Sequence, residues 1–137
     1  MENLSNIDVL YRISAPLSDV EMNSLRSACW HDHRPIQLGA VLDHSLAYIT
    51  AYCQDRLIGF VNLAWDGGEH AFLLDTLVHP DFRHRGVGTE LVKRGVSEAR
   101  NRDLTWIHVD FEPHLRGFYA DCGFRPTEAG LVRLKAK

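Results

Sequence analysis

Cysteine is scarce in this 137-residue chain: Cys29, Cys53 and Cys122 are odd in number, widely spaced and without a CxxC pair. That excludes a disulfide framework and a zinc ribbon, and the expected setting is a reducing, cytoplasmic one. Long apolar runs are missing too, since none approaches the roughly 20 residues of a membrane span. No membrane partner is expected. The first ten residues hold Glu2 and Asp8 and neither a basic leader nor an apolar stretch, so no secretory signal is read there. An excess of one charge is also absent: 15 basic and 18 acidic residues give a net charge of −3. This balance gives no general case for nucleic acid, and any basic site must be local. Repeats and low-complexity tracts are lacking, and with 45% hydrophobic residues the chain reads as one folded domain over residues 1–137.

What is present is a mixed pattern. Val9 to Ser14 reads as a strand, and Ser18 with Glu21 three residues on forms a capping-box signature before Val20, Met22, Leu25 and Cys29 at helical spacing. The patch from Ile36 to Leu42 reads as a weak helix or a loop. Two β-rich runs flank Gln54-Asp55 as a hairpin, Asp66-Gly67-Gly68 closes its far side, and "AFLLDTLVHP" forms a further run ended by Pro80. The period then changes, with Val87, Leu91, Val92, Val96 and Ala99 on one helical face and Glu90, Lys93, Arg94, Glu98 and Arg100 on the other. "LTWIHVDF" is expected as a strand, Leu115 to Asp121 as a short helix stopped at Gly123, and "LVRLK" as a last strand. The expected fold class is α+β, with hairpin and crossover connections in one sheet.

The helix start is the part that points to chemistry. "RHRGVG", Arg83 to Gly88, puts two glycines and two arginines at a helix N-terminus. The first N–H groups of a helix have no intrahelical partner and carry the positive end of the macrodipole, so the expected ligand is an anion with several oxygens. A dinucleotide fingerprint fails here because no third glycine follows, and a Walker loop fails because no Gly-Lys-Ser/Thr occurs. By itself the pair of glycines is equally readable as a turn that needs open backbone space.

"LDTLVHPDFRHRGVGTELV" resembles the central motif of the GCN5-related N-acetyltransferases (GNAT), a strand ending V-x-P followed by R/Q-x-x-G-x-G/A and a helix. Downstream, "RGFYADCGF" is similar to the family's F-Y-x-x-x-G-F signature. The two motifs span about a third of the chain, and the element order agrees with the family fold. The resemblance implies a twisted, mostly antiparallel sheet of about six or seven strands flanked by helices. It also implies acetyl transfer from coenzyme A to a primary amine by direct attack on the thioester.

The same resemblance assigns roles. The pyrophosphate is expected on the amides of Arg85, Gly86, Val87, Gly88 and Thr89, within a cofactor segment that also includes His84. Arg83 and Arg85 either add charge or are solvated surface residues. The backbone of Thr76, Leu77 and Val78 is expected to pair with the pantetheine arm, with one amide aimed at the thioester oxygen. A family bulge here would splay this strand from "WIHVDF". Tyr119 is expected to protonate the departing thiolate, the competing reading being an aromatic that only packs. Phe118 is expected to pack first and to contact the cofactor second.

The base and the acceptor are less defined. Asp75, within the apolar run "FLLDTLV", reads as base, amine anchor or structural hydrogen-bonding residue. Glu69, His70, His108, Asp110 and Glu112 are weaker candidates, and a water relay is the alternative to a side-chain base. Where many relatives have asparagine this chain has Glu112, which is expected to face substrate. "CWHDHRP" offers Trp30 as an apolar wall and His31 and His33 as polar contacts, against a solvated-loop reading. His31-x-His33 lacks the spaced partners of a zinc site, so no metal is expected. The acceptor is read as a small-molecule amine, a peptide N-terminus or a lysine. A homodimer is compatible with the family, and a catalytically silent CoA-binding or regulatory module of the same fold is the alternative.

Overall fold

A computed structural model describes residues 8–31 and 34–136, and its elements follow from local signals in the chain. Strand β1 (Leu10–Ile13) leads into helix α1 (Asp19–Cys29), whose start is the capping box anticipated from Ser18 and Glu21: the Glu21 amide donates to Ser18 Oγ, and the Ser18 amide donates to the Glu21 carboxylate. The Ile36–Leu42 patch yields only a one-turn helix, α2 (Gly39–Leu42). Strands β2 (Ser45–Cys53) and β3 (Arg56–Trp65) form the expected hairpin, with Gln54 and Asp55 both at positive φ. That is the backbone twist a two-residue hairpin loop prefers. Strand β4 (His70–Val78) follows the Asp66-Gly67-Gly68 turn, in which Asp66 accepts from the Gly68 and His70 amides.

Pro80 ends β4 and opens a 3-10 turn over Pro80–Phe82, after which α3 (Val87–Asn101) crosses the sheet to β5 (Trp106–His108) and α4 (Arg116–Asp121). The five described strands run in the order β1-β2-β3-β4-β5, antiparallel except for the parallel β4–β5 pair. Helix α3 lies on one face through Val87, Leu91, Val92 and Ala99, over Ile49, Ile58, Val61, Ala71 and Leu73. Leu91 and Val92 are fully buried, each stabilising the fold by about 1.5–3 kcal/mol. Gly59 lets α3 come this close, because a Cβ there would stand 3.0 Å from Leu91 Cδ1 and 3.2 Å from Ala51 Cβ. Helix α1 covers part of the other face, packing Met22 and Leu25 on Tyr52, Phe60 and Leu77.

Two expectations are corrected. "LVRLK" forms no strand: Leu131, Val132 and Leu134 are strongly exposed, Leu134 at 90%, and the described sheet has five strands rather than six or seven. Its apolar spacing is a local signal, whereas a strand exists only when an edge pairs with it. The strand expected over "LTWIHVDF" shortens to three residues for the same reason, since the chain beyond His108 leaves β4.

Candidate active site

One irregularity in β4 builds the site. Phe60 pairs with Leu77 and Asn62 with Leu74, so the single residue Val61 faces both Asp75 and Thr76 across the ladder. This bulge is carried by Asp75 at φ 56°, a left-handed conformation that aspartate tolerates better than most residues. Its consequence is a change of parity. Before the bulge Ala71 and Leu73 point to the α3 side; after it Leu77 joins the α1 cluster and Val78 packs toward α3. Asp75 itself is exposed, so the desolvation cost anticipated for a carboxylate within an apolar run does not arise.

The β4–β5 ladder ends at Phe72 and His108. Past that point no described strand pairs with the second side of β4, and its backbone there faces a cleft of about 420 Å³. Thr76, Leu77 and Val78 form one wall, His84, Gly86, Val87, Gly88 and Thr89 a second, and Phe118 and Tyr119 of α4 a third. Cys29, Trp30, Phe82, Arg83 and Leu115 add to the lining; no cleft role was read for Phe82, although it lies within the quoted motif, nor for Cys29 and Leu115, which come from other elements. A signal for Leu115 existed in its place next to the downstream motif. Cys29 donates weakly to the Val78 carbonyl (3.5 Å), and burial pushes its thiol up despite the nearby Arg83.

The floor of the cleft is the α3 N-terminus. Gly86, at φ 81°, is left-handed with nothing near its missing Cβ, so it is needed for conformation rather than for space. No side chain caps this end, and the first amide to donate back into the helix is that of Glu90, to Gly86 O. The amides of Val87, Gly88 and Thr89 therefore lack intrahelical acceptors at the positive end of a 15-residue helix. A Cβ on Gly88 would meet Phe118 and Val78 at 3.4–3.5 Å, partly filling the passage between loop and wall. Arg83 is anchored, its Nε donating to the Val78 carbonyl at 3.2 Å, which places its charge at the cleft. Arg85 instead lies over the Phe82 ring, 5.6 Å from its centroid.

Tyr119 is 6% exposed and caged by Phe111, Phe118 and Phe124, with ring centroids at 5.0, 4.9 and 5.8 Å. Burial raises its hydroxyl above the usual tyrosine range, the Thr76 side chain opposes the shift by hydrogen bonding, and the Asp110 carboxylate adds to it. The phenol is therefore a protonated donor at neutral pH.

The remaining expected residues scatter. Trp30 lines the cleft, with the Arg26 guanidinium 4.9 Å above its ring. His31 is exposed, His33 lies outside the described residues, and Glu112 is exposed with its carboxylate 3.7 Å from His114 Nδ1. No group of three or more metal-ligating side chains occurs among the described residues.

The model of the acetyltransferase (GNAT) family matches residues 11–124. The chain belongs to this family. It is 32% identical over 125 residues to the uncharacterized N-acetyltransferase ycf52 of Gracilaria tenuistipitata var. liui, covering 83% of this chain and 67% of that protein. The ycf52 protein of Porphyra purpurea is 32% identical over 76 residues, 56% of this chain and 44% of the relative. The chain thus spans about half the length of such curated relatives. In fold, this GNAT chain superposes on aminoglycoside N-acetyltransferase AAC(6')-Iy in complex with CoA with a TM-score of 0.75 at 22% identity, covering 95% of this chain and 96% of that one.

Proposed function

We propose that this GNAT protein is an N-acetyltransferase that binds acetyl-CoA in the cleft between β4, α3 and α4 and transfers the acetyl group directly to a primary amine. The observation that carries the reading is the placement of a buried, protonated phenol and an uncapped helix N-terminus on walls of one cleft. The residues suit the cofactor. Val87, Gly88 and Thr89 offer amides to a pyrophosphate, Arg83 adds charge, and the unpaired side of β4 from Thr76 to Val78 offers strand-like hydrogen bonds to an amide-containing arm. Acetyl-CoA supplies an activated thioester. An amide of the β4 bulge region would meet the charge that develops on its carbonyl oxygen, and Tyr119 would donate a proton to the departing thiolate. An ammonium acceptor must first lose a proton, and Asp75, exposed at the bulge, is the base or anchor proposed.

Reduced thiols at Cys29, Cys53 and Cys122 suit a cytoplasmic setting, and no described helix is long and apolar enough to cross a membrane. Calorimetry with CoA and acetyl-CoA, followed by thiol release across a panel of amines, tests the reading. Saturable binding of both nucleotides with amine-dependent thiol release is expected. Tight binding without turnover on any amine would replace the enzyme by a silent CoA-binding module, and no binding would end the proposal.

A further inference from the structure

The side of the sheet opposite α3 is only partly covered by α1. Where that cover ends, the β4–β5 junction carries a row of flat, exposed groups: Phe72 (39% exposed), Trp106 (52%) and His108. They share one face by register, since His70 pairs with Trp106 and Phe72 with His108, while the alternate residues Ala71 and Leu73 go to the α3 core. The His108 ring is stacked on Phe72 with centroids 4.8 Å apart, and its Nε2 lies 2.8 Å from His70 Nδ1. This contact between the two rings holds the stack in place. The result is a shelf of stacked rings with Trp106 beside it.

Charge is one-sided on this shelf. Residues 57–78 and 104–112 contain no lysine or arginine, yet include Asp66, Glu69, Asp75, Asp110 and Glu112. Asp66 is engaged by the Gly68 and His70 amides and Glu69 by the Thr105 hydroxyl, whereas Asp75 and Asp110 are exposed where β4 and β5 part. Asp110 follows His108 by two residues, just past the end of the β4–β5 ladder, as Asp75 lies three residues past Phe72 on β4. The cleft on the other side of the gap carries Arg83 and His84. An anion and a cation can thus approach the gap from opposite faces.

We propose that this shelf selects the acceptor: a primary amine whose ammonium sits between Asp75 and Asp110 and whose body is an aromatic ring lying on Phe72, His108 and Trp106. The inference rests on the acetyltransferase reading and adds the class of acceptor. An aromatic face in such contact prefers offset or tilted rings, and the ammonium end gains charge-assisted hydrogen bonds from the carboxylates.

The test is binding and turnover in the CoA-saturated protein with 2-phenylethylamine, the tripeptide Phe-Ala-Ala, ethanolamine and glucosamine. Calorimetry should show saturable binding of at least one aromatic amine, at about tenfold or more higher affinity than ethanolamine or glucosamine. The two aromatic probes separate a free arylalkylamine from an aromatic peptide N-terminus. Phe72→Ser and Trp106→Ser are expected to weaken that binding about tenfold while leaving CoA affinity and melting temperature near wild type, both side chains being substantially exposed. Asp110→Asn should weaken the aromatic amine and leave the neutral analogue ethylbenzene unaffected. Normal CoA binding with no aromatic preference overturns the shelf alone, as does light scattering showing a dimer that Trp106→Ser dissociates. Absent CoA binding instead removes the acetyltransferase reading beneath it.

Discussion

Tyr119 is the residue on which the proposed chemistry turns, and its environment defines what it can do. Three phenyl rings strip water from the phenol, so the neutral form is favoured and the hydroxyl stays a donor through the neutral range. Tyr119→Phe keeps the cage and removes the proton. Its expected signature is a loss of about 10²-fold in kcat with KM for acetyl-CoA unchanged, measured by thiol release. A kcat within about twofold of wild type would leave Tyr119 as packing only. His79 offers a separate test at the same scale. Its ring is buried, accepts from Arg56 at 2.8 Å, and has its pKa lowered, first by burial and then by the Arg56 charge. A group depressed in the folded state adds stability above its unfolded value of about 6.5 and loses it as pH falls through the folded value. Thermal melts should therefore drop on acidification below about pH 6.5, and His79→Gln should flatten that dependence.

At the scale of elements, the β4 bulge matters more than any single hydrogen bond. By turning Thr76 and Val78 toward the cleft and Leu77 toward α1, it joins the two faces of the sheet at one point. Asp75→Asn retains a residue that accepts positive φ and deletes the charge, whereas Asp75→Val opposes the conformation itself. If Asp75 is base or anchor, Asn lowers kcat/KM about tenfold or more with an unchanged melting temperature. Val is expected to cost about 1–2 kcal/mol of stability as well, read by denaturant unfolding. Gly86 belongs to the same scale: Gly86→Ala should destabilise by about 1–2 kcal/mol, because the left-handed turn that opens α3 has no room in conformation for a Cβ although it has room in space. Weaker CoA binding should accompany it.

Over the whole molecule, the element order was legible and the site was legible in part. The stripe of Val87, Leu91, Val92 and Ala99 and the Ser18–Glu21 capping box are periodic or local signals, and the fold uses them as read. The Arg83–Thr89 loop was visible because glycine pairs at a helix start have few physical uses. "LVRLK" misled because alternation states what a strand would look like, not whether an edge awaits it. Cys29 and Leu115 were invisible as cleft residues, lying 47 and 32 positions from Thr76 and Arg83 respectively in a chain whose walls meet only after folding. The molecule also sets the Arg83 guanidinium at the cleft, while Asp75 and Asp110 are exposed past the β4–β5 ladder. Raising salt from about 0.05 to 0.5 M should therefore weaken CoA binding measurably by calorimetry, since the proposed phosphate contacts would be screened.

By itself the amino-acid order determined the helices, the hairpins and the glycine turn that opens α3, because each depends on residues within a few positions of one another. Only the tertiary structure decided where β4 parts from β5, how the bulge at Asp75 assigns side chains to two faces, and that Tyr119 stands in a dry cage beside Thr76. Those properties arise from contacts between distant segments, and burial is a quantity that no local pattern contains.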